Sequence, residues 1–233
     1  MPVFWLSEND ISFPHPDLAN EDGILAIGGD LSIDRLLLAY QIGLFPWFNP
    51  DDPILWWSPD PRFVLFPSEI KVAKSMRPYF NQGKFEVTFD RDFEGVIRGC
   101  QGKRRKGQSG GTWISTDMIQ AYVQLHRQGF AHSVEVWQSG DLVGGLYGVS
   151  LGKVFFGESM FAEVNNASKF GLITLAKVLE KQGFWLIDCQ QHTLHLERLG
   201  GRAIPRSEFL NYMRKNEAEE TLRGSWEQLL QTD

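Results

Sequence analysis

Phe184-Trp185-Leu186-Ile187, preceded by Gly183, is the stretch that most restricts the fold. An unbroken run of apolar strand-formers reads as a strand buried on both faces, not as one with a wet side. With a meander and a helix before it and a further helix after it, such a strand points to a mixed α/β class. The run ends in Asp188-Cys189-Gln190. Side chains at i and i+2 of a strand share a face, so Asp188 and Gln190 are expected to converge while Cys189 faces away. A carboxylate closing a buried strand is costly unless it is satisfied or used. Capping of the next helix and chemistry are the two uses open to it.

The flanking segments supply the rest of the layer. Strands are expected over 133–137, 142–149 and 154–158, joined by the turns Gln138-Ser139-Gly140-Asp141 and Ser150-Leu151-Gly152-Lys153. Gly144, Gly145 and Gly148 inside the middle strand mark a bulge or a close approach by a ligand. A helix from Asn166 to about Gln182 follows, with Leu172, Leu175, Val178 and Leu179 inward, and Asn166 reads as its cap. Shorter helices are expected over about 193–199, ended by Gly200-Gly201, and from near Ser207. Upstream, a helix capped by Ser115 or Thr116 carries Ile119, Tyr122, Val123 and His126 on one side and stops at Gly129. Its histidine reads as packed or surface, not catalytic. The tail after Arg214 is charged and weakly patterned.

Residues 1–62 read as a small N-terminal domain and 63–233 as a larger one. In the first, Ser32 caps a helix whose apolar face is Leu36, Leu37 and Tyr40 and whose end is Gly43. Leu44-Phe45-Pro46-Trp47-Phe48-Asn49-Pro50 and Ile54-Leu55-Trp56-Trp57-Ser58-Pro59-Asp60-Pro61-Arg62 then follow, too rich in proline for a helix. Most of these rings suit a small core, and a ring left at an edge suits a planar ligand. Charge is segregated as well. Residues 1–60 hold ten acids and only Arg35, whereas 69–106 hold ten Lys or Arg against five acids. An anionic partner on the second surface is the natural reading, with chance clustering as the plain alternative. A helix over Glu69 to Phe80 would line up Lys71, Lys74 and Arg77. Lys103-Arg104-Arg105-Lys106 opens a glycine-rich loop that lacks the Lys-Ser/Thr ending of a P-loop; it reads as a contact to a nucleic-acid backbone or as a merely mobile loop.

Cys100 and Cys189 make neither a disulfide framework nor a metal-ligand spacing, no leader-like segment follows Met1, and no apolar run approaches a membrane span. A cytoplasmic protein off the membrane, a monomer without a metal or cofactor, is the expectation.

Seven segments, in order, resemble those of the bacterial leucyl/phenylalanyl-tRNA–protein transferases. They are Gly28-Gly29-Asp30-Leu31-Ser32, Gly43-Leu44-Phe45-Pro46-Trp47-Phe48, Leu55-Trp56-Trp57-Ser58-Pro59-Asp60-Pro61-Arg62, Gly111-Thr112-Trp113-Ile114, Gly157-Glu158-Ser159-Met160-Phe161, Asn166-Ala167-Ser168-Lys169 and Leu186-Ile187-Asp188-Cys189-Gln190. The resemblance runs from about Gly23 to Tyr212. It implies a small N-terminal domain before a GNAT-like acyltransferase domain with a mixed central sheet. It also implies transfer of Leu or Phe, and less readily Met, from aminoacyl-tRNA to proteins beginning with Arg or Lys, creating a degradation signal. The family's proposed catalytic pair falls on Asp188 and Gln190.

The chemistry fits these residues. The donor is an activated ester, so neither metal nor nucleotide hydrolysis is required. The nucleophile is an α-amine of pKa about 7.7–8.0, which needs positioning, loss of a proton and support for an oxyanion. Asp188 is expected to orient the amine or take its proton, in relay with Gln190. Glu158 is expected to face the same cleft and bind the acceptor's amine or its cationic side chain, a surface strand end being the plain alternative. Trp47 and Trp113 are placed against the terminal adenosine. Phe155, Met160 and Ile187, with Ser159 beside them, are placed around the donor side chain. Lys71, Lys74, Arg77, Arg104 and Arg105 would touch tRNA phosphates without reading sequence. An acetyl-CoA-dependent GNAT acetyltransferase is the rival enzyme, but Arg104-x-x-Gly107-x-Ser109 is an imperfect version of the turn it requires. A non-catalytic RNA-binding module is the second rival.

Overall fold

A computed structural model describes residues 3–102 and 113–230 of the 233-residue chain. The expectations on Lys103-Arg104-Arg105-Lys106, and the Gly111-Thr112 part of one segment, fall outside the described residues.

The first part of the chain forms β1 (Phe4–Leu6), β2 (Ile24–Gly28), α1 (Ile33–Gln41), β3 (Phe45–Pro46) and β4 (Leu55–Trp57), with sheet order β1-β2-β4-β3. Ser32 caps α1 as expected, its hydroxyl accepting from the Arg35 N–H. Gly43 ends it at φ +86, where a Cβ would stand 3.0 Å from Phe209 and Leu210. The chain can turn there against a later helix only because the residue is glycine. Trp56 is fully buried, its Nε1 donating to the Gly28 carbonyl at 2.9 Å. Arg35, the only Lys or Arg of residues 1–60, is buried and donates to the Ser7 carbonyl and Asp30.

The second part continues with β5 (Arg62–Leu65), α2 (Arg77–Asn81), β6 (Glu86–Phe89), α3 (Phe93–Gly102), α4 (Thr116–Arg127), β7 (Ala131–Gln138), β8 (Asp141–Leu151), β9 (Val154–Ala162), α5 (Ala167–Lys181), β10 (Leu186–Asp188), α6 (Leu194–Arg198), β11 (Arg202–Ile204) and α7 (Arg206–Asn216). Seven strands run in the order β11-β5-β10-β9-β8-β7-β6. All pairs are antiparallel except β9 with β10, which α5 joins as a crossover. The α/β class is therefore as expected. Helices cover both faces, because neighbouring residues of the central strands enter separate cores. Phe156 and Leu186 pack with α3 and α4, while Phe155 and Ile187 pack with α5. That alternation buries β10 on both sides.

Two expectations fail locally. The helix over 69–80 is absent. Pro67–Glu69 and Lys74–Met76 are separate 3₁₀ turns, and α2 begins only at Arg77. Pro78 has no N–H to give and fits only a first helical turn, and the Lys71 N–H is drawn off to the Leu199 carbonyl. Lys71, Lys74 and Arg77 are nonetheless all exposed. Asn166 stands before α5 in a left-handed conformation (φ +70) and makes no side-chain cap; its amide donates to Tyr79 instead. The Gly144–Gly148 region does carry register shifts, and its space is taken by the chain's own Phe161, Ala167 and Phe155.

Candidate active site

Glu158 does not end a strand. In the β8–β9 ladder, Tyr147 pairs with Ser159 and Gly148 with Gly157, so Glu158 is the extra residue of a bulge inside a longer strand. A bulge re-aims the side chain it carries. Here the Glu158 carboxylate accepts from Tyr40 of α1 at 2.7 Å and from Tyr122 of α4 at 3.0 Å, and the two hydroxyls touch each other. Burial pushes the Glu158 carboxyl up to about 7, against the opposing pull of the two tyrosine donors. Burial and the adjacent carboxylate push both tyrosines well above the usual phenol range, so they remain donors.

Glu158 opens onto a cavity of about 450 Å³, a size suited to a small ligand. Trp47, Trp113, Phe155, Ser159, Met160, Ile187 and Gln190 line the same cavity, so the structure gathers seven of the predicted site residues around Glu158. Sequence reasoning missed Phe45, Pro46, Leu172 and a last group from α6 and the loop before it, Gln191, Thr193, His195 and Leu196. His195 sits in that wall with Nε2 buried and unpartnered among the described residues, and burial, with Lys169 and Arg198 nearby, lowers its pKa. Among the described residues no three His, Cys, Asp or Glu side chains converge as metal ligands.

Asp188 is placed differently from expectation. It is fully buried and absent from the cavity wall, while Cys189 and Gln190 are in it. The strand ends at Asp188 and Gln190 turns into the left-handed region (φ +56), so the i, i+2 rule no longer applies. The Asp188 carboxylate forms a two-pronged ion pair with Arg62, Nε to Oδ1 at 2.8 Å and Nη2 to Oδ2 at 2.6 Å. Oδ1 also accepts the Gln190 N–H at 3.0 Å. Burial pushes the neighbouring Cys189 thiol up, which keeps it from being a ready thiolate. The Gln190 amide nitrogen has no partner among the described residues.

Residues 64–214 match the family described as leucyl/phenylalanyl-tRNA protein transferase, and residues 29–60 match its N-terminal domain. A relative from Nitrosospira multiformis is 54% identical over 221 residues, 91% of this chain and 94% of its own. One from Syntrophobacter fumaroxidans is 53% identical over 227 residues, 97% of this chain and 96% of its own. Both carry the name leucyl/phenylalanyl-tRNA–protein transferase. Solved structures are more distant. An aminoglycoside acetyltransferase from an uncultured soil metagenomic sample shares 14% identity at a TM-score of 0.37, over 61% of this chain and 95% of its own. L-PGS from Bacillus licheniformis shares 10% at 0.41, over 73% and 54%.

A mixed-sheet α/β fold with a ring-lined cavity, in a chain so closely related to these enzymes, is that of an aminoacyltransferase. Within that class, the chain belongs to the leucyl/phenylalanyl-tRNA–protein transferase family.

Proposed function

We propose that this enzyme moves Leu or Phe, and less readily Met, from aminoacyl-tRNA to the N-terminal Arg or Lys of acceptor proteins, which marks them for degradation. The observation that carries this reading is the shared cavity. Two rings, an apolar recess, a carboxyl of pKa about 7 and a free carboxamide lie in one wall. Trp47 and Trp113 take the terminal adenosine, and Phe155, Met160 and Ile187, with Ser159, take the donor side chain. Residues 1–62, as a small domain, lend Trp47 to the wall and Tyr40 to Glu158, while 63–233 carry the rest of the site.

The acceptor's neutral α-amine attacks the ester carbonyl. A C–N bond forms as the carbonyl oxygen takes up negative charge. Collapse then breaks the C–O bond, and the ribose hydroxyl leaves with one proton. That proton is the one the amine gives up, and it travels by way of Glu158, whose pKa lies close to that of the amine, so the first transfer is nearly balanced and the amide keeps the amine's second hydrogen. Gln190 holds the amine or the oxyanion with its free amide.

Incubation with charged Phe-tRNA or with acetyl-CoA, beside an Arg-initiated peptide, tests the reading. Phe appears on the peptide; acetylation in its place would establish the rival enzyme. Trp113→Ala should raise KM for Phe-tRNA by the equivalent of about 1–3 kcal/mol, the usual worth of one base stack, with less change in kcat. Unaltered kinetics would leave the ring as core. Lys71, Lys74 and Arg77 contact tRNA phosphates in this reading, with Arg104 and Arg105 as further contacts. Transfer should therefore weaken steeply between about 50 and 200 mM salt, and a triple Lys71→Ala, Lys74→Ala, Arg77→Ala variant should flatten that slope. An identical slope in the variant would remove these three residues from the interface.

A further inference from the structure

Arg62 has no part in the chemistry above, yet it is fully buried beside the catalytic turn. Its guanidinium lies 4.7 Å from the ring centre of Phe45 and 4.4 Å from that of Phe209. Phe45 belongs to β3 and to the cavity wall; Phe209 belongs to α7. Nη1 has no partner among the described residues, and contact with two ring faces offsets that loss of solvation. Nε and Nη2 take both oxygens of Asp188. Asp188 Oδ1 in turn holds the Gln190 N–H, the Gln190 carbonyl accepts from Phe63 N–H at 3.2 Å, and Cys189 N–H donates to the Phe63 carbonyl at 2.9 Å. A non-glycine residue at φ +56 persists only where its surroundings over-determine it, and these bonds supply that.

We propose that Arg62 is a positioning residue for aminoacyl transfer: through the Asp188 carboxylate it fixes the main chain at Gln190, and Asp188 braces the site without itself taking the proton. The inference rests on the transferase reading. It is read through Glu158, which is faced by Tyr40 of α1, Tyr122 of α4, Arg62 of β5 and Asp188 at the end of β10, with Tyr147 of β8, Cys189 and His195 in the same cavity. Arg62 pulls the Glu158 pKa down and Asp188 pushes it up.

The test compares Arg62→Lys, Asp188→Asn and the double variant Arg62→Met/Asp188→Asn in full-length protein, with Phe-tRNA and an Arg-initiated peptide. Lysine keeps the charge and loses the two-pronged geometry, so kcat falls about 10²-fold while KM for Phe-tRNA holds, as a small misplacement demands. In Asp188→Asn the acidic limb of the pH–rate profile survives and moves to lower pH, because a negative neighbour of Glu158 is gone. The double variant, free of an unpaired buried charge, folds and transfers faster than Asp188→Asn, with its limb intact. Wild-type kcat in Arg62→Lys, loss of the limb in Asp188→Asn, or a double variant no faster than Asp188→Asn overturns the proposal. Wild-type protein inert toward Phe-tRNA would overturn the transferase reading instead, so the two failures are distinct.

Discussion

Glu158→Gln should lower kcat about 10²–10⁴-fold, the usual worth of a positioned proton acceptor, while leaving KM for Phe-tRNA near its wild-type value. The amide preserves size and keeps an oxygen for one tyrosine hydroxyl, so a collapsed cavity is not the reason for the loss. The pH profile separates the roles. In the wild type two groups must be deprotonated, Glu158 with a pKa of about 7 and the acceptor amine at about 7.7–8.0, so the rate climbs steeply from about pH 6 to 8. In Glu158→Gln only the amine's ionisation remains and the climb becomes shallower. Tyr122→Phe gives the complementary shift. That hydroxyl stabilises the charged carboxylate, so its removal raises the Glu158 pKa further and moves the acidic limb to higher pH. A profile in Glu158→Gln that keeps its wild-type slope would sink the assignment, and an increase confined to acceptor KM would make Glu158 a binding group for the cationic side chain.

Pairing Glu158 with two tyrosines also links the first part of the chain to the second. Tyr40 lies on α1, beside the small sheet, and Tyr122 on α4, against the large one. The carboxylate is thus held from both sides, and a shift of either helix changes its donors. A group whose pKa depends on buried partners is tuned by the packing around it.

The elements that follow from local patterning were legible in the chain. The doubly buried strand, the Ser32 cap, the cap read at Ser115 or Thr116 (it is Ser115) and the three-strand meander rest on periodicity and cap chemistry, which tertiary context did not override. The cavity residues Trp47, Trp113, Phe155, Met160 and Ile187 were found through the family resemblance; periodicity alone would have left them as core. What escaped were features that exist only between distant residues. The Glu158 bulge leaves no mark on Gly157-Glu158-Ser159, since one extra residue is defined by its partner strand. The left-handed turn at Gln190 breaks the strand rule where the rule was being used to pair it with Asp188. Tyr40 and Tyr122 read as apolar-face residues, yet a buried phenol needs a partner, and a carboxylate in a bulge was the acceptor. Trp226, in the weakly patterned tail, is buried flat against His132 at 3.8 Å, its backbone N–H donating to Asp90 and its indole N–H to the Leu222 carbonyl. A lone ring in a charged segment carries no period to announce that.

Breaking the Arg62–Asp188 pair from one side should cost about 3–5 kcal/mol of folding free energy, because it strands an unpaired charge where both partners are fully buried. Against a total stability of about 5–15 kcal/mol, that is a large share. Urea denaturation of Asp188→Ala and Arg62→Ala should show both as strongly destabilised, with m-values unchanged. Replacing both at once tests the cause. If the loss comes from the orphaned charge, Arg62→Met/Asp188→Leu should recover most of it, since apolar side chains between Phe45 and Phe209 require no solvation. The recovered protein would still lack the acceptor for the Gln190 N–H, and so should be stable and slow. That combination is what a brace predicts: its contribution to rate lies in the direction it gives Gln190, and its contribution to stability is felt only when one half is missing. Single variants within about 1 kcal/mol of wild type would mean that water reaches the pair in solution, and the turn at Gln190 would then need another support.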